Sequence, residues 1–136
     1  MKGWLLPVCI TFLLWGIQGF VAKLTTQYIN PMSALLFNIV GAILVGIVVF
    51  SLLGFRPEIQ PTGVALAIFM GALGILGALG FLFAMSKGKV SIVAVISALY
   101  PAVSIGLAYL ILKEPITLKE GIGILFAFIA IVLLST

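Results

Sequence analysis

Apolar residues fill five long stretches of the chain, near 3–22, 32–53, 62–86, 91–112 and 118–135, and polar residues concentrate in the joins between them. Each stretch is close to the ~20 residues that cross a bilayer as a helix. Backbone in hydrocarbon must hydrogen-bond to itself, so each stretch is predicted to be helical. The joins read KLTTQYINP, GFRPEIQPTG, SKGKVS and KEPITLKEG, and they hold every charge except that of Lys2. Pro31 suits the first turn of the second helix. Pro115 helps to end the fourth, because the residue before a proline avoids helical geometry. Short joins make consecutive helices antiparallel neighbours. The pattern therefore predicts an all-α polytopic membrane protein, a bundle of five transmembrane helices over 1–136, with no second domain.

Composition sharpens this reading. The 136 residues are 64% hydrophobic and 7% charged, with a mean hydropathy of +1.43, whereas a soluble domain is about 25% charged. The net charge of +4 comes from isolated basic residues that form no patch, which excludes nucleic acid as a partner. The single Cys9 cannot form an intrachain disulfide. With no His and no Asp, the usual metal-ligand sets are missing. No nucleophile–base pair or acidic dyad is present either, so the chain is read as no enzyme and is given no cofactor. Lys2 before an apolar run is reminiscent of a signal peptide. No small-residue cleavage pattern follows and four more spans do, so the first stretch is read as a retained helix.

Charge placement bears on topology. On the side of the N-terminus, here side A, lie Lys2, Arg56, Lys113 and Lys119; on side B lie Lys23, Lys87 and Lys89. Orientation normally follows a clear Lys/Arg excess on the cytoplasmic side. An excess of one residue fits either insertion with the N-terminus inside or insertion both ways. Two copies of opposite orientation would form an inverted-repeat pair, a common transporter architecture.

Few polar groups interrupt the spans. Trp15 and Gln18 share a face of the first helix, Asn38 lies in the second, and Ser97, Tyr100 and Ser104 form a stripe along the fourth. At about 1.5 Å per residue, Trp15, Asn38 and Ser97 are predicted about 10 Å beneath side B, with Tyr100 near the midplane. Matched depths on three helices point to a shared substrate pathway. The competing assignment is helix-to-helix hydrogen bonding, about 0.6 kcal/mol per group. Pro101 lies inside this stripe. It has no N–H, so the Ser97 carbonyl loses its helical donor and the helix bends there. A released carbonyl is tolerated where it lines a cavity; Pro101 is thus a candidate hinge.

Small residues mark two helices. Gly71, Gly74, Gly77 and Gly80 recur every three residues, so at about 100° per residue they wind around the third helix. Such a helix is predicted to be approached closely on several sides. Gly123, Ala127 and Ala130 share one face of the last helix, a small-residue seam for a dimer or an internal neighbour.

WGIQGFVAK (Trp15 to Lys23) resembles the first-helix segment of EamA-type members of the drug/metabolite transporter superfamily. SALYPAVSIGLAYLILKEPITLKEGIGILFAFIAIVLL resembles the end of that family's repeat: a proline-broken helix, a glutamate at the turn and a glycine-rich last helix. Pro101, Glu114, Thr117 and Gly123 fall on its motif positions; Ala130 stands where the family often has glycine. The resemblance implies one five-helix repeat where most members carry two inverted ones, and transport of metabolites across the cytoplasmic membrane. It implies the bilayer and a small molecule as partners, with a second unit supplied by an antiparallel homodimer or a paired homologous subunit. The distant four-helix multidrug exporters use a membrane-embedded glutamate, whereas Glu58, Glu114 and Glu120 all lie in joins. A neutral or zwitterionic metabolite therefore fits better than a cationic drug, although Trp15 and Tyr100 could hold a cation through their rings. A non-transporting accessory or lipid-handling subunit is the remaining alternative.

Overall fold

The computed structural model describes residues 3–135, the side chains of Ala130, Leu134 and Ser135 excepted. Every regular element among the described residues is helical: α1 (Leu5–Tyr28), α2 (Pro31–Leu52), α3 (Pro61–Lys87), α4 (Val90–Ser97), α5 (Tyr100–Leu107), a π-helical turn (Ala108–Leu112) and α6 (Leu118–Ser135). Among the described residues four segments are long and apolar enough to cross a membrane: α1, α2, α3 and the composite Val90–Leu112. The fifth predicted stretch is present as the 18-residue α6. Contacts divide the chain into two compact units, Met1–Lys87 and Gly88–Thr136.

In the first unit α1 and α2 both pack on α3. The helix starts follow from local chemistry. Asn30 is extended, its Oδ1 accepts from Ser33 N at 2.9 Å, and Pro31 occupies the first turn. Gln60 Oε1 likewise accepts from Gly63 N ahead of α3, whose first residue is Pro61. Both caps satisfy amides that no helical carbonyl reaches. After α2 the chain turns through two left-handed residues, Gly54 (φ 59°) and Phe55 (φ 61°). That conformation is unfavourable for a phenylalanine. It is held by Phe55 N donating to Phe50 O at 3.1 Å and by edge-to-face stacking of the two rings, with centroids 5.1 Å apart.

α1 runs further than predicted, to Tyr28 instead of about residue 22. Thr25 and Thr26 donate their hydroxyls to the carbonyls of Val21 and Lys23, which lets both residues stay helical without leaving a bare polar group. Lys23 is therefore a helical residue rather than part of a join. The depth estimate changes with it. At about 1.5 Å per residue, Trp15 lies about 20 Å and Gln18 about 15 Å from the side-B end of α1, while Asn38 lies about 10 Å from the start of α2. Counted from these helix ends, Trp15, Gln18 and Asn38 stand at different heights along their helices.

The second unit begins with the broken span. α4 stops at Ser97, Ala98 and Leu99 form a turn, and α5 restarts at Tyr100 with Pro101 in its first turn. Leu99 N donates to Ile96 O at 3.1 Å and Ala102 N to Leu99 O at 3.0 Å, three-residue spacings that tighten the chain around the break. The span ends in a π-turn closed by Lys113 in the left-handed region (φ 56°). α6 then opens on a reciprocal cap. Thr117 N and Oγ1 each donate to Glu120 Oε2 at 2.8 Å, and Glu120 N donates back to Thr117 Oγ1 at 3.3 Å. α6 packs on α4.

Candidate functional site

In the first unit the apolar core is small and lies at one end. Among the described residues Ala34, Leu82 and Met85 are the buried hydrophobic ones, and Met85 is fully enclosed. Against that end the Lys23 ammonium donates to Met85 O at 2.7 Å, a part-buried bond. Away from it the polar candidates are exposed. Trp15 is 57% exposed, and Gln18 and Asn38 are exposed as well. The unit thus presents two amides on spans that composition places in hydrocarbon. An unsatisfied amide there costs about 2 to 7 kcal/mol, so both need a polar partner or water.

In the second unit Ser97, Tyr100 and Ser104 are also exposed. The break itself shapes something else: an apolar hollow of about 110 Å³ lined by Ala98, Leu99, Pro101, Ala102 and Ile105 from the broken span and by Ile124, Ala127, Phe128 and Ile131 from α6. The serine–tyrosine stripe is not among its lining residues. Pro101 therefore opens a space toward α6, while the polar stripe occupies the neighbouring face of the same span. Among the described residues no group of three or more potential metal ligands is found.

The sequence pattern of the EamA-like transporter family matches residues 2–136. The chain belongs to that family. It is 36% identical over 122 residues to the uncharacterized protein MJ1333.1 of Methanocaldococcus jannaschii, covering 89% of this chain and 88% of that one. It is 34% identical over 122 residues to the uncharacterized transporter YyaM of Bacillus subtilis, covering 85% of this chain but 39% of YyaM. No solved structure matches the chain. EamA membership together with the apolar helices makes this a multi-pass membrane transporter in contact with the lipid bilayer, and the family role is not enzymatic.

Within the EamA unit the small-residue predictions fare differently from one another. A Cβ on Gly71, Gly74, Gly77 or Gly80 would have nothing within 4 Å. The close approach predicted around α3 is absent, because α1 and α2 bury only its last turns. Gly123 also faces open space, whereas Ala127 lines the hollow; Ala130 lies outside the described side chains. Sequence reasoning missed Ala98, Leu99 and Ala102 as lining residues. Their only signal was adjacency to Pro101, since small apolar residues in a membrane helix look alike whichever way they face.

Proposed function

We propose that the chain carries a small neutral or zwitterionic metabolite across the cytoplasmic membrane by alternating access, as one half of an inverted pair. The observation that carries this reading is the exposure of Gln18 and Asn38 on spans of an EamA transporter unit. Amides left uncovered by their own unit call for a polar pathway or a second unit. Trp15, Ser97, Tyr100 and Ser104 join them as pathway residues, with Pro101 as the hinge. Glu58 and Glu114 lie between helices and Glu120 lies in the first turn of α6, so no acid lies deep in a span, which favours an uncharged or zwitterionic cargo over carboxylate-coupled export of cations.

In this reading α6 is the fifth span. Its 18 residues reach about 27 Å, close to the ~30 Å hydrocarbon thickness. The second half of the pair is a second copy in the opposite orientation, joined partly through the seam of Gly123, Ala127 and Ala130. The deciding experiment has two steps. Thermal stabilisation of the purified protein is screened against neutral and zwitterionic metabolites, since a ligand that binds only the folded state raises apparent stability. Flux of each hit is then measured in liposomes holding this protein alone. Saturable flux supports the carrier; binding without flux points to an accessory role.

A further inference from the structure

The break at Pro101 leaves a space that its own unit does not fill. α4 packs on α6; past the turn at Ala98 and Leu99, the hollow of about 110 Å³ lies between α5 and α6. Its lining is Ala, Leu, Ile, Pro and Phe throughout. Buried water needs polar partners, and apolar cavities of about 150 Å³ stay dry and take hydrocarbon ligands instead. Ala102 and Ile105 in the lining are half-buried, whereas Ala98, Pro101 and Ala127 are exposed. The former make a floor and the latter a mouth. Val103 and Leu107 of α5 and Leu125 and Ile129 of α6 are exposed as well, so the mouth is continuous with the apolar surface that meets the bilayer. Residues 98–105 form the middle of the 23-residue span Val90–Leu112. At that depth a bilayer holds acyl tails, with the headgroups outside the hydrocarbon core.

We infer that the hollow is a binding site for one acyl chain of a bilayer lipid. The tail enters past Pro101 and Ala127 and lies on Ala102 and Ile105. Ser97, Tyr100 and Ser104 are not in the lining, so a headgroup or a polar metabolite meets no side-chain donor there. A lodged tail fills the space left by the break and holds α5 off α6. The bend is then kept by a ligand drawn from the bilayer as well as by the missing N–H of Pro101. The inference rests on α6 lying in the bilayer, as proposed above; it does not need the carrier assignment.

Methyl cross-relaxation measured by NMR in phosphatidylcholine nanodiscs tests this. The full chain is deuterated except for its alanine methyls, and the lipid tails are either protonated or deuterated. The expected result is a tail cross-peak to the Ala102 methyl that vanishes with deuterated tails. It should be absent at Ala78 and Ala94, which are half-buried like Ala102 but do not line the hollow. Ala127→Leu places a larger side chain at the mouth and should abolish the Ala102 cross-peak, whereas Ala127→Gly should keep it. No tail cross-peak at Ala102, or one of equal strength at Ala78 and Ala94, overturns the site, and this comparison holds even if Ala127→Leu does not fold. A cross-peak that survives in folded Ala127→Leu overturns it too, as does a water cross-peak at Ala102. If a cross-peak arises with deuterated tails only when protonated, unlabelled chain is mixed in, a second copy fills the hollow and the lipid site is wrong. Ala127 separates the site from the fifth span on which it rests. Its exposed methyl meets tails wherever α6 crosses the bilayer, so a tail cross-peak at Ala127 without one at Ala102 removes the site alone. Water at Ala127 in place of tails removes the span and the site with it.

Discussion

At Gln18 and Asn38 the chain places an amide on an exposed face of a helix long and apolar enough to cross a membrane. If they line an aqueous pathway, cysteines at positions 18 and 38, with Cys9→Ala, should react with small water-soluble thiol reagents and be protected by substrate. Complete inertness of both in folded protein would mean dry helix contacts. A second residue-scale prediction concerns the cap of α6. Thr117→Ala removes the hydroxyl that exchanges hydrogen bonds with Glu120, which should destabilise the first turn by about 1 kcal/mol. Amide exchange at residues 119–121 should quicken, and Thr117→Ser should restore it. The cap went unread in the sequence, where Thr117 entered only as a motif position of the resemblance and Glu120 only as an acid of a join. Nor was the bond from Lys23 to Met85 O legible, because no sequence rule says where a long flexible stem will send its charge. Lysines near helix ends commonly snorkel to the interface instead.

At the scale of elements, the apolar stretches located every helix, since length and hydropathy decide what the bilayer accepts. Their ends were less legible. α1 outran its estimate because Thr25 and Thr26 absorb their own hydroxyls, a choice invisible to hydropathy. The break at Pro101 could be read because a missing N–H is a covalent fact; the π-turn at Ala108–Leu112 has no such marker. Which way Ser97, Tyr100 and Ser104 face relative to the hollow was also illegible, because lipid does not sort polar from apolar faces as water does. Pro101→Ala restores a donor for the Ser97 carbonyl and favours a continuous helix by about 3 kcal/mol of propensity. The expected outcome is a folded, inserted protein with slowed exchange at residues 98–102, a smaller hollow and impaired flux. Unchanged flux and affinity alongside slowed exchange would make the break purely structural.

At the scale of the molecule, the question is what completes an EamA unit that spans 88% of one relative but 39% of another. Every one of the six proposed pathway residues is exposed on its own unit, as expected of surfaces that a second unit covers. The Lys/Arg balance of four on side A to three on side B, read from Lys2, Arg56, Lys113 and Lys119 against Lys23, Lys87 and Lys89, is too even to fix orientation firmly. An antiparallel homodimer follows if copies insert both ways, with two identical half-sites meeting near the midplane and exchanging conformations to alternate access. A lysine added after Thr136 strengthens side B and should change the ratio of the two orientations. Reporter fusions at the C-terminus, with and without the added lysine, measure that ratio. A single orientation in the unmodified chain would rule out the homodimer of opposed copies, leaving a second half from a different protein or no second half at all. If a different protein supplies it, the exposed amides of Gln18 and Asn38 would face a homologous subunit of fixed opposite topology, and co-expression with that subunit should be needed for flux.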